Sequence, residues 1–266
     1  MGLFGPRLPI DADELEWQLA TFKWLGEEFG AVGDTALVLP TPDFFPRTQV
    51  AADARVPELF EQVRRAAGME QWQCELVAGE AERPIHAGNA HLLVHHGAPP
   101  PCGTFRIEGE GESARALISY NPNLAFHAES LVATFAHELG HYLMSTATTP
   151  PPGGWNLHEL ATDIAAVYLG FGIFLANSAK NFGQFQSAGE MGWSSRLQGY
   201  LSESALVTAL AIFQRLAGRA PADAAPYLKP YLQKVLKSAD KALAKQHPDM
   251  VASVNAVDLS EFAASD

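Results

Sequence analysis

The 266-residue sequence is poor in cysteine and in basic residues, and each shortage excludes a class of protein. Two cysteines, Cys74 and Cys102, are too few for a disulfide framework, so we expect both to be reduced in a cytoplasmic protein. Lysine and arginine total 18 against 30 aspartates and glutamates, a formal net charge of −12. This balance argues against nucleic acid or an anionic membrane as the main partner, because both reward clustered cations.

Targeting signals and long apolar runs are also missing. The first residues, MGLFGPRLPIDADELEW, show no basic segment followed by an apolar stretch and a cleavage site, which predicts that the chain is not exported. The longest apolar run, from Ile164 to Ala176, is too short to span a bilayer. Because Glu159 and Asp163 precede it on the same predicted helix, we expect a buried core helix.

Hydrophobic periodicity predicts an α+β fold. Apolar residues recur at helical spacing in residues 11–29 and 56–68, and the segment 36–46 is typical of a short strand ended by prolines. Further short apolar runs separated by glycine and proline predict strands of a twisted, mainly antiparallel sheet at residues 72–80, 90–96, 102–109 and 114–120. From Glu129 onward the pattern is mostly helical.

The segment FAHELGHYLM, residues 135–144, carries the clearest chemical signal. It lies on a helix predicted from Ala128 to Ser145, where His137 and His141 project from the same side one turn apart. Two such imidazoles can reach one zinc ion at ~2.1 Å, while Glu138 can reach a metal-bound water without ligating the metal itself. A chance match of so short a motif stays open, so a third ligand decides the matter.

The segment WNLHELATD, beginning at Trp155, supplies a candidate third ligand. Glu159 and Asp163 are four residues apart on a second predicted helix, so their side chains share one face. We predict that Glu159 binds the metal and that Asp163 accepts a hydrogen bond from the ring N–H of a ligating histidine. The break PPPGG, residues 150–154, supplies the turn that returns this helix to the first.

HELGH followed by HELATD resembles the gluzincin group of zinc metallopeptidases, in which a thermolysin-like HExxH motif is followed by ExxxD on the next helix. The resemblance covers about residues 115–175. Thermolysin has asparagine where His158 stands here, so His158 is an alternative ligand. Glu159 is favoured because only it has Asp163 at the family spacing.

The resemblance implies a zincin-like α+β fold, with a twisted sheet, an active-site helix, a glutamate-bearing helix and a helical C-terminal part. We divide the chain into a catalytic core, residues 1–178, and a helical subdomain, residues 179–266, which could also form one continuous domain. The implied activity is zinc-dependent hydrolysis of peptide bonds in a peptide or protein substrate, through a zinc-bound water activated by Glu138.

Further roles rest on less specific signals. The strand ARALISYN, residues 114–121, resembles the edge strand on which such enzymes lay an extended peptide, and plain sheet structure explains it equally well. An oxyanion stabiliser is also needed, for which Tyr200 and Arg196 are candidates. The remaining histidines of the strand region are interpreted as surface residues, with a second metal site as the alternative: His86, His91, His95 and His96.

Two other functions stay open at this point. A peptidase-like protein can hold zinc and act as a binding or regulatory module without turnover. The motif can also be fortuitous in a protein with no metal.

Overall fold

The protein consists of helices packed around a small sheet, and the computed structural model describes residues 7–79, 102–108, 115–183 and 201–263. The α+β class predicted from the sequence is confirmed. In chain order the helices and strands are α1 (Ala12–Phe29), α2 (Arg55–Ala66), β1 (Cys74–Ala78), β2 (Gly103–Glu108), β3 (Arg115–Tyr120), α3 (Ala128–Met144), α4 (His158–Ala166), α5 (Gly172–Gly183), α6 (Glu203–Leu216), α7 (Pro221–Ala224), α8 (Pro230–Gln246) and α9 (Met250–Asn255).

Helix α3, which carries the HELGH motif, packs between α2 and the sheet. The ring of Phe135 meets Phe60 of α2 edge-on at 5.0 Å and Tyr120 of β3 at 6.0 Å between centroids. Apolar residues at helical spacing along α3 are buried, namely Leu131, Phe135, Leu139 and Leu143. The helix predicted from Ala128 to Ser145 is therefore confirmed, and it ends one residue earlier, at Met144.

The sheet is mixed and has the order β1-β3-β2. Strand β1 pairs with β3 in parallel, and β2 pairs with β3 antiparallel. The prediction of a mainly antiparallel sheet is therefore wrong for the described strands, because the alternation of apolar residues is the same whichever way a neighbour runs. The predicted strand at residues 90–96 lies outside the described residues.

A break at Gly170 separates α4 from α5. The segment Val167–Phe171 forms a wider, π-type turn in which Gly170 has φ +97°. A Cβ atom at residue 170 would lie 2.1 Å from the carbonyl oxygen of Ala36, and the N–H of Val38 donates to the Gly170 carbonyl at 3.0 Å. The prediction of a strand at 36–46 is wrong, since Val38 in this stretch donates its hydrogen bond to the helix break at Gly170 and not to a neighbouring strand.

The apolar helices α4 and α5 lie in the core. The stretch Trp155–Ala179 is long and apolar enough to cross a membrane, but 94% of its most apolar window is buried inside the protein. The prediction of a buried core helix at residues 164–176 is confirmed, with the added break at Gly170.

One hydrophobic core continues across residue 178, where the sequence predicts a domain boundary. It joins Leu25 of α1, Phe135 of α3, Leu210 of α6 and Leu236 of α8. Helix α5 itself crosses residue 178. The division of the chain there stays a prediction.

Candidate metal centre

Helix α3 presents its two histidines toward a single point, and the intervening glutamate is buried on the side that faces β2. His137 and Glu138 are each 3% exposed, whereas His141 is partly open to solvent. The two imidazole rings lie 4.7 Å apart between centroids and nearly perpendicular. The spacing of four residues therefore places both rings in one small volume, as expected for one face of a helix.

Helix α4 packs closely on α3 because a glycine stands at the contact. A Cβ atom at Gly140 would lie 3.0 Å from the Thr162 carbonyl oxygen, so a larger residue would push the helices apart. The turn between them uses Gly153 and Gly154 at φ +84° and +75°, which suits residues without a side chain. Trp17 of α1 also holds this turn, since its indole N–H donates to the Pro152 carbonyl at 2.9 Å.

The packing of α4 on α3 brings Glu159 to the two histidines. Glu159 Oε2 lies 3.2 Å from His137 Nε2 and 3.4 Å from His141 Nε2. One ligand atom from each of the three residues lies within 4.8 Å of the other two. This group can hold a metal ion, and His158, the alternative ligand, does not belong to it.

Side chains of α4 contact the Nδ1 atoms of both histidines. His137 Nδ1 donates to Asp163 Oδ1 at 3.0 Å, which is the contact predicted from the sequence. His141 Nδ1 lies 3.2 Å from Thr162 Oγ1, and that hydroxyl donates to the His158 carbonyl. Both contacts fix the orientation of the rings and direct Nε2 toward the centre, as metal-binding histidines require.

Replacing Asp163 by Asn is expected to weaken metal affinity by roughly 10- to 100-fold without abolishing it. Asp163 accepts from His137 on one oxygen and from the Leu201 N–H, at 2.7 Å, on the other. An amide offers only one acceptor oxygen, so one of these contacts is lost. Calorimetric titration of the apoprotein with a divalent metal measures the change.

A matched control is Asp240→Asn, which removes a carboxylate that pairs with Arg215 at 2.8 Å on α6 and α8. This variant should bind metal as the parent does. Equal affinities for Asp163→Asn and the parent would contradict the assigned contact.

Burial, hydrogen bonds and neighbouring charges shift the pKa values of the three ligand groups in different directions. Burial disfavours a charge on His137, but its hydrogen bonds with Asp163 and Glu159 outweigh burial and raise its pKa to about 10. Burial lowers the pKa of His141. Burial opposes the charge of Glu159 too, yet hydrogen bonds from both histidines hold its pKa well below its usual range. A metal ion bound here would displace the proton on Nε2 of His137, because imidazole coordinates through a lone pair.

Glu138 lies where α3 meets β2. A Cβ atom at Gly103 would lie 2.7 Å from Glu138 Oε1, so β2 passes too close to accept a side chain at that position. Burial raises the pKa of Glu138 to about 7, an effect that the charge of His137 opposes and that of Glu159 reinforces. Glu138 Oε2 is buried without a hydrogen-bond partner in the described part of the chain. Such an atom is costly in a folded protein and marks a place for a water or substrate group.

The strand expected to receive an extended substrate is not an edge of the described sheet. β3 pairs with β1 on one side and with β2 on the other, so its main chain is used on both sides. β2 is the strand that lies over the site. Its Gly103 contacts Glu138, and the ring of Phe105 stacks on His141 at 6.4 Å with an interplanar angle of 9°.

Several sequence-based assignments cannot be placed. Tyr200 and Arg196, the candidate oxyanion stabilisers, lie outside the described residues, and so do the four histidines of the strand region. Their roles stay predictions. The sequence reasoning missed Thr162 and Gly103. Helical spacing could have indicated Thr162, which follows Glu159 by three residues on α4, whereas no local signal marks Gly103.

The residues present suit a divalent metal ion. Two imidazoles and one carboxylate converge, and both imidazoles are oriented by hydrogen bonds. A buried oxygen of the neighbouring Glu138 has no hydrogen-bond partner among the residues that the structure describes. Protein-family models, curated proteins and solved structures gave no match to this chain. Its function is therefore inferred from the chemistry of the site.

Proposed function

We propose that this protein is a zinc-dependent hydrolase of the gluzincin type that cleaves peptide bonds. The observation that carries the proposal is the group of His137, His141 and Glu159, next to which Oε2 of Glu138 is buried with no hydrogen-bond partner in the described ranges. The alternative of chance histidines on a helix explains neither the third donor nor the hydrogen bonds that orient both rings.

The distances within the group, which are those of hydrogen bonds between its side chains, are also compatible with zinc as the metal. A tetrahedral ion with bonds of about 2.0–2.1 Å separates its ligand atoms by about 3.3–3.4 Å. Glu159 Oε2 lies 3.2 and 3.4 Å from the two imidazole nitrogens, at this separation. Imidazole and carboxylate are also the donors that hydrolytic zinc sites use.

The number of donors favours catalysis over a structural role. Structural zinc takes four protein ligands, whereas catalytic zinc keeps one position for water or substrate. In the described ranges three donors converge. A binding or regulatory module without turnover would have no use for a buried, unpaired carboxylate oxygen beside them.

Each residue has a separate task in the proposed reaction. When bound, zinc supplies Lewis acidity, which polarises a carbonyl group and makes water more acidic. Glu138 accepts the proton of the attacking water and then donates it to the leaving amine nitrogen. Asp163 and Thr162 hold the imidazoles of His137 and His141 in the orientation for coordination.

An extended peptide is the proposed substrate, and β2 is the strand proposed to bind it. The outer edge of β2 has no strand partner among residues that the structure describes, so its main-chain groups can pair with a peptide. Gly103 and Phe105 bring this strand against Glu138 and His141. A peptide paired with this edge would be bound by the strand that contacts Glu138 and His141.

Purified protein loaded with zinc is expected to cleave a mixed peptide library, with the products identified by mass spectrometry. A chelator should stop the cleavage by removing zinc, and added zinc should restore it by binding again to the three ligand residues. The Glu138→Gln protein, prepared in parallel, serves as the control for a contaminating peptidase.

Protein that holds one zinc ion yet cleaves no peptide would favour the regulatory module. Protein that cannot take up zinc would contradict both functions.

A further inference from the structure

His158 stands at the rim of the metal centre and contacts the carboxylate ligand on its far side. Its Nδ1 lies 2.7 Å from the Trp155 carbonyl oxygen, and its Nε2 lies 3.1 Å from Glu159 Oε1. The ring is 5.8 Å from that of His141 between centroids. The two oxygens of Glu159 therefore have different neighbours: Oε2 faces His137 and His141, and Oε1 faces His158.

His158 can act only as a hydrogen-bond donor toward its two oxygen neighbours. Both the Trp155 carbonyl and the Glu159 carboxylate can only accept, so the ring bonds both when each nitrogen carries a hydrogen. When one nitrogen carries it, the carboxylate makes the stronger bond because it is charged. With a hydrogen on Nε2, His158 donates to Oε1 of Glu159.

We infer that His158 is a positioning residue for Glu159, which holds Oε1 away from the metal so that the carboxylate coordinates through Oε2 alone. A carboxylate can bind a metal through one oxygen or two, and a second bond from Glu159 would take up the place that hydrolysis reserves for water. Each of the three ligands then has its own support on α4, from Asp163, Thr162 and His158. This inference rests on the metal centre of the proposed function.

His158 is not itself an alternative fourth ligand in this arrangement. Its Nε2 does not join the group of mutually close donor atoms, which comprises His137, His141 and Glu159. An ordinary surface histidine is the other reading, since its side chain is 46% exposed. That reading gives no reason for both ring nitrogens to lie within hydrogen-bond distance of oxygen atoms close to the ligands.

Cobalt(II) tests the inference because its visible absorption weakens as the coordination number rises above four. The parent is compared with His158→Ala and His158→Phe, which lack a donor, and with His158→Gln, which keeps an amide N–H. We expect parent-like binding and absorption in His158→Gln. In the Ala and Phe proteins, affinity should fall by about 10-fold and the absorption per bound cobalt should drop, because Oε1 is free to coordinate.

The control is His127→Ala, which removes an exposed imidazole just before α3 and should leave the spectrum unchanged. Two donor-free variants are used so that a folding defect in one, checked by circular dichroism, does not decide the result. Spectra and affinities of both that equal the parent's would overturn the inference alone. So would a His158→Gln protein that behaves as the donor-free variants do. A parent that binds no cobalt would overturn the metal centre and this inference with it.

Discussion

The His137→Ala protein is expected to lose stoichiometric zinc and, with it, all zinc-dependent hydrolysis. His137 is buried and contributes one of three donors, and its ring also links Glu159 to Asp163. Two remaining donors from different helices cannot hold the ion tightly. Zinc content after dialysis, measured by atomic absorption, checks the first part of the prediction.

Thermal unfolding gives a second readout of the same change. A ligand that binds only the folded state stabilises it by about 2.7 kcal/mol at 100 times its Kd, which is roughly 5–10 °C in Tm for a chain of this size. The parent should show this zinc-dependent rise, and His137→Ala should not. His127→Ala is the matched control and should respond to zinc as the parent does. A His137→Ala protein that retains one zinc per chain would contradict the ligand assignment.

The candidate site could be predicted because its geometry depends mainly on the spacing of residues within two helices. His137, Glu138 and His141 share one helix, and a helical period fixes which side chains project together. Glu159 and Asp163 share the next helix, and the glycines between the helices indicate a tight return. Only the packing of the two helices against each other depends on long-range contacts. The sequence indicated this packing indirectly, through the resemblance to gluzincins.

What the sequence could not predict depends on contacts between distant segments. The direction of β1 relative to β3 leaves no trace in the alternation of either strand, so the sheet was expected to be mainly antiparallel and β3 to be an edge. The extended residues before Val38 resemble a strand, but they bond a helix break at Gly170. The role of Gly103 depends on the packing of β2 against Glu138, for which the sequence of the strand contains no signal.

Replacing Glu138 by Gln is expected to separate zinc binding from hydrolysis. The amide has nearly the shape of the carboxyl group, so it fits the narrow space between α3 and Gly103. Glu138 is outside the ligand group, and zinc content should equal the parent's. A neutral amide cannot accept the proton of the attacking water, so kcat should fall by roughly 10²- to 10⁴-fold.

Glu129→Gln is the matched control, because it makes the same chemical change on the first turn of α3, where the carboxylate accepts from Asn177 at 2.6 Å. Its kcat should equal the parent's. If Glu138→Gln cleaves the parent's best peptide at the parent's rate, Glu138 is not the base and the unpaired Oε2 has another purpose. If the variant instead loses zinc together with activity, Glu138 supports the centre, and proton transfer must be assigned elsewhere. Retained zinc with lost turnover is the one combination that requires a carboxylate acting on the reacting water.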